Sequence, residues 1–293
     1  MIPCGALKTL IDIAVPALTF FLLTAVGLDL TREDFARVRR QWTVVLAGLL
    51  APLVLLPPIA LGLTWVFQPS PEIAAGVLLV AACPIGGISN TYSYLARAST
   101  ALSVTLTGLS CLIAGATVPA VGRGLELAVG RPLDLAAPIP LLLAQVLVML
   151  ALPVVLGMWI RRRSPELAER HRPALQGLAF TGIALVLLLV IVDDPQGFFG
   201  GLSTTVPLAA AFVVCSMGAG WMTAVSVTDD RRDRFTLAAE FGTRNVAVAT
   251  AIAVTLLGRV EFARFATTYF LTELPLMLVA IAVFRRRGIS AHV

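Results

Sequence analysis

Residues 83–90 read Cys-Pro-Ile-Gly-Gly-Ile-Ser-Asn and interrupt an apolar segment that is otherwise long enough to span a membrane as a helix. Proline has no amide hydrogen and clashes with the preceding helical turn, and two consecutive glycines make a helix easy to unwind. The segment therefore predicts a helix that is broken near its middle. Unwound backbone is tolerated at membrane depth only where it lines a cavity or is buried in protein. A simple proline kink is the alternative.

A second segment of the same kind lies at residues 240–245, which read Glu-Phe-Gly-Thr-Arg-Asn. Both segments contain the pattern Gly-x-x-Asn, and in the topology derived below they run through the bilayer in opposite directions. Interrupted helices of opposite direction are typical of inverted repeats, in which the substrate binds where the two helices cross. We therefore expect the breaks at 84–89 and 240–244 to cross near mid-membrane, with Asn90 and Asn245 at equivalent positions.

The composition of the whole chain indicates a membrane protein. Of its 293 residues, 58% are hydrophobic and only 13% are charged, and the mean hydropathy is +0.91. A water-soluble chain of this length would need a far more charged surface. The short alternating segments of a β-barrel do not occur. The sequence predicts an all-α polytopic protein in the lipid bilayer with nine spans, at 9–30, 43–67, 72–96, 101–122, 135–160, 174–192, 203–227, 232–257 and 262–284.

The basic residues set the predicted orientation. Most of the 22 Lys and Arg residues fall in alternate connections, including 37–40, 161–163, 231–234 and 285–287. Because cytoplasmic loops carry an excess of Lys and Arg, we expect the amino terminus outside and the carboxyl terminus inside, in the inner (plasma) membrane of a bacterium. The first span runs directly into a basic segment, so we expect no cleaved signal peptide. The net charge of +5 reflects topology, and we expect no nucleic-acid partner.

Oxygen-bearing side chains stand close to the breaks. Hydroxyl, amide and carboxylate oxygens together with unwound carbonyls suit a hard monovalent cation such as sodium. Two of the candidates are four residues apart and share one helix face. As alternatives, the pair at the first break could cap a half-helix, and the hydroxyls of the next span could bond to carbonyls of their own helix. The candidates are Ser89, Asn90, Ser103, Thr107 and Glu240.

Three ionisable residues, Glu240, Arg244 and Glu273, fall inside predicted spans. A charge inside a bilayer costs at least about 2.5–3.5 kcal/mol, so each needs a counter-charge, a cation or a proton. They are candidates for ion pairs, and a purely structural ion-pair cluster is the alternative to a functional one. The positive ends of two broken helices would also attract a carboxylate or sulfonate group.

Three motifs resemble those of one known family. CPIGGISNTYSYLARASTALSVTLTGLS at 83–110 is similar to two consecutive helices of the bile acid:sodium symporters, and AEFGTRNVAVATAIA at 239–253 is similar to their later broken helix. GLDLTREDF at 27–35 resembles a further family segment. The chain is identified as a nine-helix bacterial member. The resemblance implies a core domain that rocks against a panel domain, here 43–127 with 203–287 and 1–42 with 128–202.

The resemblance also assigns the sites. The family's first sodium site falls on Ser89, Asn90, Ser103, Thr107 and Glu240. Its second site is altered, because a family Gln is Arg244 here and another falls at Ala51 or Pro52, which offer no side-chain oxygen. We therefore expect one sodium at most, no organic cofactor and no obligate protein partner. The substrate would contact Gly87, Ile88, Asn90, Thr243, Arg244 and Asn245.

The sequence thus predicts a secondary active transporter of small organic anions, carboxylates or sulfonates, that is coupled to sodium. Arg244 could act as a tethered cation paired with Glu240 or Glu273, or it could turn into the cavity and bind the substrate. A sodium-independent carrier, proton-coupled or passive, is the alternative. An intramembrane enzyme is disfavoured, because the aspartates lie at span ends and no histidine cluster is available for a metal.

Overall fold

The computed structural model describes residues 4–31, 36, 39–129 and 139–289, and almost all of them are helical. The prediction of an all-α protein is confirmed for this part of the chain. A π-helical turn at Ile252–Leu256 and a 3-10 turn at Val260–Phe262 join the last two α-helices. In chain order, the α-helices are α1 Cys4–Asp29, α2 Trp42–Phe67, α3 Pro71–Ala82, α4 Ile88–Leu95, α5 Thr100–Val129, α6 Ile139–Arg163, α7 Pro165–Asp193, α8 Pro195–Val227, α9 Arg231–Gly242, α10 Val246–Ala251 and α11 Ala263–Ile289.

Several helices have the length and surface of membrane spans. Among the described residues, four segments are long and apolar enough to cross a bilayer: Trp42–Phe67, Thr100–Pro119, Pro195–Val227 and Val260–Arg286. On α2, the exposed residues Trp42 and Trp65 are separated by about 35 Å at 1.5 Å per residue. This matches a hydrocarbon core of about 30 Å with a tryptophan at each interface. The protein is a multi-pass membrane protein.

Each predicted span overlaps a helix, and the third and eighth spans overlap pairs of helices, α3 with α4 and α9 with α10. The sixth was predicted to begin at residue 174, but α7 begins at Pro165, directly after Ser164, because proline is well tolerated in a first turn. Residues 32–35, 37 and 38 of the predicted first loop and the predicted span start at 135–138 lie outside the described residues. The number of membrane crossings stays a prediction.

Two groups of helices surround the broken segments. Helix α1 packs mainly on α6 and α7, whereas α8 packs on α2, α9 and α11. The contact between α1 and α6 depends on glycine: a Cβ on Gly27 would lie 2.1 Å from the Val154 carbonyl oxygen, and one on Gly157 would lie 2.2 Å from that of Thr24. These two helices therefore approach backbone to backbone.

Three arginine contacts show which helix ends are neighbours. Arg161 at the end of α6 donates to the Leu28 carbonyl at 2.7 Å, near the end of α1. Arg231 at the start of α9 donates to the carbonyl of Phe284 in α11 at 2.7 Å. Arg264 at the start of α11 pairs with Asp194 between α7 and α8, also at 2.7 Å. Helix ends that the predicted topology puts on one side are therefore adjacent, while the side itself stays a prediction.

Candidate functional site

The two predicted breaks contact each other through their backbones. Ile85, between α3 and α4, forms an isolated antiparallel bridge with Arg244, between α9 and α10. The Gly86 amide donates to the Thr243 carbonyl at 3.2 Å, and the Asn245 amide donates to the Pro84 carbonyl at 2.9 Å. Both interruptions are confirmed, and a simple proline kink is ruled out because the chain leaves the helix on both sides of the bridge. Their depth in a bilayer stays a prediction.

The close approach requires a glycine at position 86. A Cβ added there would lie 2.8 Å from the carbonyl oxygen of Arg244, which is closer than real side chains come to backbone. The bridge also satisfies backbone groups that the unwound turns release. The amide of Ile85 donates to the Ser110 hydroxyl at 3.2 Å. Buried main-chain groups thus find partners without helical hydrogen bonds.

Asn90 and Asn245 occupy different positions, so the prediction of equivalence is wrong. Asn90 is the third residue of α4, whereas Asn245 directly precedes α10 and its side chain accepts from the Val248 amide at 3.1 Å. The bridge sets Ile85 opposite Arg244, so the two asparagines fall several residues out of register. The shared Gly-x-x-Asn pattern reflects similar composition at two breaks and is not a structural repeat.

The five predicted cation ligands meet at one point. The Ser89 hydroxyl donates to Oε2 of Glu240 at 3.0 Å, and the Thr107 hydroxyl donates to the same oxygen at 3.3 Å. Ser103 donates to Oε1 of Glu240 and to Oδ1 of Asn90, the latter at 2.9 Å. Thr107 also donates to Oδ1 of Asn90 at 3.3 Å. We call these five residues, Ser89, Asn90, Ser103, Thr107 and Glu240, the oxygen cluster.

Neither alternative to a shared site applies to the oxygen cluster, whether a helix cap by Ser89 and Asn90 or hydroxyl groups bonded to carbonyls of their own helix. The hydroxyls of Ser103 and Thr107 point at Glu240 rather than along their own helix, and the start of α4 has no side-chain cap from Ser89. Glu240 was placed at the second break, but it lies two residues before the end of α9. A helical position aims its carboxylate sideways at α4 and α5 instead of along the break.

The chemistry of the oxygen cluster fits a small hard cation. All of its donor atoms are oxygens, and one carboxylate supplies a negative charge. Hydroxyl groups both donate and accept, so those of Ser89 and Thr107 can turn a lone pair toward a cation. Except for Asn90, the members are completely buried, which excludes water and strengthens any charge interaction there.

Arg244 is buried at the bridge, and it bonds to main chain rather than to a carboxylate. One Nη donates to the Cys83 carbonyl, which the end of α3 leaves free. Across the described residues, no N–O contact of 4.0 Å or less joins Arg244 to Glu240 or Glu273. Direct ion pairs among these three residues, which were candidates from the sequence, are therefore not formed in this structure.

A cavity of about 490 Å³ opens beside the bridge. Five of the six residues predicted to contact substrate line it: Gly87, Ile88, Asn90, Arg244 and Asn245. The sixth, Thr243, is fully buried and lies outside its lining. The sequence did not predict the opposite wall, which α1 supplies. Its residues are Leu22, Ala25, Val26 and Asp29, of which only the last belongs to a motif with family resemblance.

A much smaller space of about 10 Å³ lies on the other side of the bridge. It is bounded by Pro52, Pro84, Ser110 and Arg244, among others. This volume is enough for roughly a single water molecule. Pro52, one of the two positions to which the resemblance assigns a second-site Gln, thus borders the same space as Arg244, but it offers a proline ring and no side-chain oxygen.

A helical membrane protein with two bridged breaks beside a cavity has the architecture of a secondary transporter. The family described as the sodium bile acid symporter family matches residues 15–196, and the chain belongs to this family. The resemblance seen in the sequence is thereby confirmed, and the protein is a transporter rather than an enzyme. The match includes the first break and ends before the second.

Individual relatives are similar over most of the chain. An uncharacterised sodium-dependent transporter of Bacillus subtilis is 26% identical over 80% of this chain and 73% of its own. A probable chloroplastic sodium/metabolite cotransporter of Oryza sativa subsp. japonica is 29% identical over 80% of this chain and 54% of its own. A sodium-dependent organic anion transporter of Homo sapiens is 23% identical over 98% of this chain and 78% of its own.

Proposed function

We propose that the protein is a secondary active transporter that carries a small organic anion, a carboxylate or sulfonate, together with at most one sodium ion. The observation that carries this proposal is the oxygen cluster, in which five side chains from α4, α5 and α9 converge beside the cavity. The names of relatives from Bacillus subtilis, rice and human, each described as sodium-dependent or sodium-coupled, support the choice of ion.

The cavity supports transport by alternating access. One wall is α1, in the proposed panel domain of residues 1–42 and 128–202, and the other wall is the bridge, in the proposed core domain of residues 43–127 and 203–287. Rocking of one domain against the other would open this cavity to either side of the membrane in turn. The contacts of α1 with α6 and α7, and those of α8 with α2, α9 and α11, lie within the two proposed bodies, while α5 and α6 pack on each other across the boundary between them.

The anion would bind in the cavity near the bridge. The start of α4 supplies Gly87, Ile88 and Asn90 to the lining, and the amide groups of a helix start favour negative charge. Asn245 and the positively charged Arg244 lie on the same wall. Most of the remaining lining is apolar, as in Leu22 and Phe270, which suits an anion with a hydrocarbon body.

Arg244 supports the limit of one sodium ion. Its guanidinium lies on a main-chain carbonyl freed by the break, which is the kind of oxygen that would otherwise hold a cation. An arginine is always charged, and at about 4 Å it would repel a sodium ion by about 4 kcal/mol at an effective dielectric of 20. Arg244 thus acts as a cation tethered to the chain, although without the close carboxylate partner expected from the sequence.

The protein would lie in the inner membrane of a bacterium with nine spans, its amino terminus outside and its carboxyl terminus inside. Clusters of arginine at Arg161–Arg163 in α6 and at 285–287 in α11 support this orientation, because such clusters stay in the cytoplasm. The relative in Bacillus subtilis supports the bacterial location. The inverted repeat is supported by the antiparallel bridge between the breaks.

The test is uptake into proteoliposomes that contain the purified protein. Radiolabelled anions of three kinds, a short hydroxy acid, a keto acid and a steroid conjugate, are compared with and without an inward sodium gradient. We expect at least one anion to accumulate only with sodium, whereas a neutral sugar of similar size serves as the control. Accumulation that is equal in sodium and in choline would instead favour the second candidate function, a sodium-independent carrier that is passive or proton-coupled.

A further inference from the structure

Glu273 in α11 is as completely buried as Glu240, but its surroundings differ. The hydroxyls of Tyr92 in α4 and Thr243 at the second break lie close enough to interact with its carboxyl group. Within the described part of the chain, neither Glu273 oxygen has a well-formed hydrogen bond, and the same holds for the two hydroxyls. Four buried oxygens thus face one another, each with hydrogen-bonding capacity unused.

The other ionisable groups around Glu273 come from α4, from the second break and from α11 itself. Arg244 at the second break interacts electrostatically with the Glu273 carboxyl group from more than 4.0 Å away. Tyr269, one turn earlier in α11, also faces it, but the Tyr269 hydroxyl is already bonded to the Gly242 carbonyl at 2.6 Å. With Tyr92 from α4, these are the described titratable groups that act on Glu273. An ionised carboxylate that is buried without a close cation has a large unfavourable desolvation free energy.

The charges of Glu240, Arg244 and Glu273 balance when the site holds either a sodium ion or a proton. Arg244 contributes one permanent positive charge. With sodium on the oxygen cluster, there are two positive charges, and neutrality requires both carboxylates to be ionised. Without sodium, Arg244 offsets only one carboxylate, and neutrality requires a proton on the other. Three hydroxyls donate to Glu240 and favour its ionised form, whereas neither Glu273 oxygen has a well-formed hydrogen bond among the described residues, so the proton falls on Glu273. The buried site therefore needs either a sodium ion near Glu240 or a proton on Glu273.

We propose that Glu273 binds a proton in the sodium-free carrier and releases it to solvent when sodium binds the oxygen cluster. This inference rests on the sodium site of the proposed function. The proton occupies no extra volume, and it gives the carboxyl group a donor for the idle Tyr92 or Thr243 hydroxyl. Ionisation of Glu273 then supplies the negative charge that the incoming sodium requires. Proton and sodium oppose each other, and by linkage each weakens the binding of the other.

The experiment uses purified full-length protein in detergent and sodium chloride as the only ligand. A pH indicator in weakly buffered solution reports protons released on addition of sodium, with choline chloride as the ionic-strength control. Isothermal titration calorimetry measures sodium affinity across a series of pH values. We expect release of up to about one proton per bound sodium, and a sodium affinity that falls by up to about tenfold for each unit decrease in pH.

Three variants test whether Glu273 is the residue that carries the proton. Glu273→Gln keeps the shape of the side chain but cannot ionise, so it should bind sodium without proton release, at a pH-independent affinity equal to that of the native protein at acid pH. Glu273→Asp keeps an ionisable group and should retain the release. Glu261→Gln is the matched control, since Glu261 is a partly exposed residue that pairs with Arg259 at 3.6 Å; it should behave like the native protein.

The outcomes separate the two claims. If the native protein binds sodium without proton release and with the same affinity at every pH, this inference is wrong and the proposed function stands. If it binds no sodium at any pH, the proposed function fails instead. Unchanged proton release in Glu273→Gln removes the assignment to this residue. Should that variant not fold, the pH series on the native protein and on Glu273→Asp still decides.

Discussion

One backbone bridge joins the two breaks, yet their polar side chains differ greatly in how many hydrogen-bond partners they have. At the first break, Ser89 and Asn90 take part in a network that reaches Glu240 with every bond at 3.5 Å or less. At the second break, the described atoms without partners include the Thr243 hydroxyl, the Asn245 Nδ2 and two guanidinium nitrogens of Arg244. A bonded network holds one geometry, whereas idle donors and acceptors are available to a ligand or a proton. The first break therefore has a fixed set of side-chain hydrogen bonds, whereas the second keeps unused donors and acceptors among its described atoms.

Loss of the one charge in the oxygen cluster should have the largest effect. Glu240→Ala removes the carboxylate to which three hydroxyls donate, and we expect sodium-dependent uptake to be abolished, a loss beyond the 10–100-fold that changes next to a metal site typically cause. The measurement is sodium-dependent uptake into proteoliposomes under a sodium gradient. Glu166→Ala, at an exposed position, is the control. Unchanged sodium dependence in Glu240→Ala would reject the cation site.

Two buried serines in neighbouring helices sharpen the comparison. Ser103→Ala removes one of the oxygens proposed to coordinate sodium, and because a contact with a charged group of this kind is worth about 1.5–3 kcal/mol, the sodium affinity should fall at least about tenfold. Ser93→Ala removes a hydroxyl that has no partner among the described residues, and sodium affinity should be almost unchanged. Sodium titration calorimetry compares the two. Equal losses in both variants would show that burial, rather than membership in the oxygen cluster, sets the effect.

Arg244→Gln tests whether the second break can regain an ion. Removal of the tethered charge should let a second sodium bind, so the Hill coefficient of uptake for sodium should rise from about one toward two. If Arg244 instead holds the substrate anion, the variant should lose uptake at every sodium concentration. A coefficient near two in the unmodified protein contradicts the tethered-cation role. The measurement is initial uptake rate against sodium concentration.

The smallest expected effect distinguishes two buried tyrosines. Tyr269→Phe removes the bond to the Gly242 carbonyl at the end of α9, and the protein should lose about 0.5–1.5 kcal/mol of stability. Tyr92→Phe removes a hydroxyl with no well-formed hydrogen bond to any described residue, and the Thr243 hydroxyl can still accept the Glu273 proton, so stability should fall by less than in Tyr269→Phe. Thermal unfolding of the purified variants in detergent compares them. A larger loss in Tyr92→Phe would mean that its hydroxyl is engaged in the folded protein.

The sequence predicted the breaks and the oxygen cluster for physical reasons that are local. Proline with two glycines destabilises a helix wherever it lies, and Ser103 and Thr107 share a face because they are four residues apart. Their convergence on Glu240 came from family resemblance, since spacing alone does not relate α5 to α9.

What the sequence did not predict depends on contacts between distant elements. The partner of Arg244 is a main-chain carbonyl, which has no signature in the residue types. The α1 wall of the cavity consists of ordinary apolar residues such as Leu22 and Val26, which a helix facing lipid would share. The prediction that Asn90 and Asn245 occupy equivalent positions was wrong because a four-residue pattern contains no information about register. The bridge, which fixes that register, is a tertiary contact.

The bridge also has a consequence for synthesis of the protein. Cys83 and Arg244, which it brings into contact, are 161 residues apart. At 5–20 residues per second, a ribosome needs roughly 10–30 s to make the intervening chain. During this time the first break has already been synthesised, and its Gly86 amide and its Cys83 and Pro84 carbonyls lack the partners that the second break later supplies. The early helices therefore depend on interim partners, such as water or the insertion machinery, until the last third of the chain arrives.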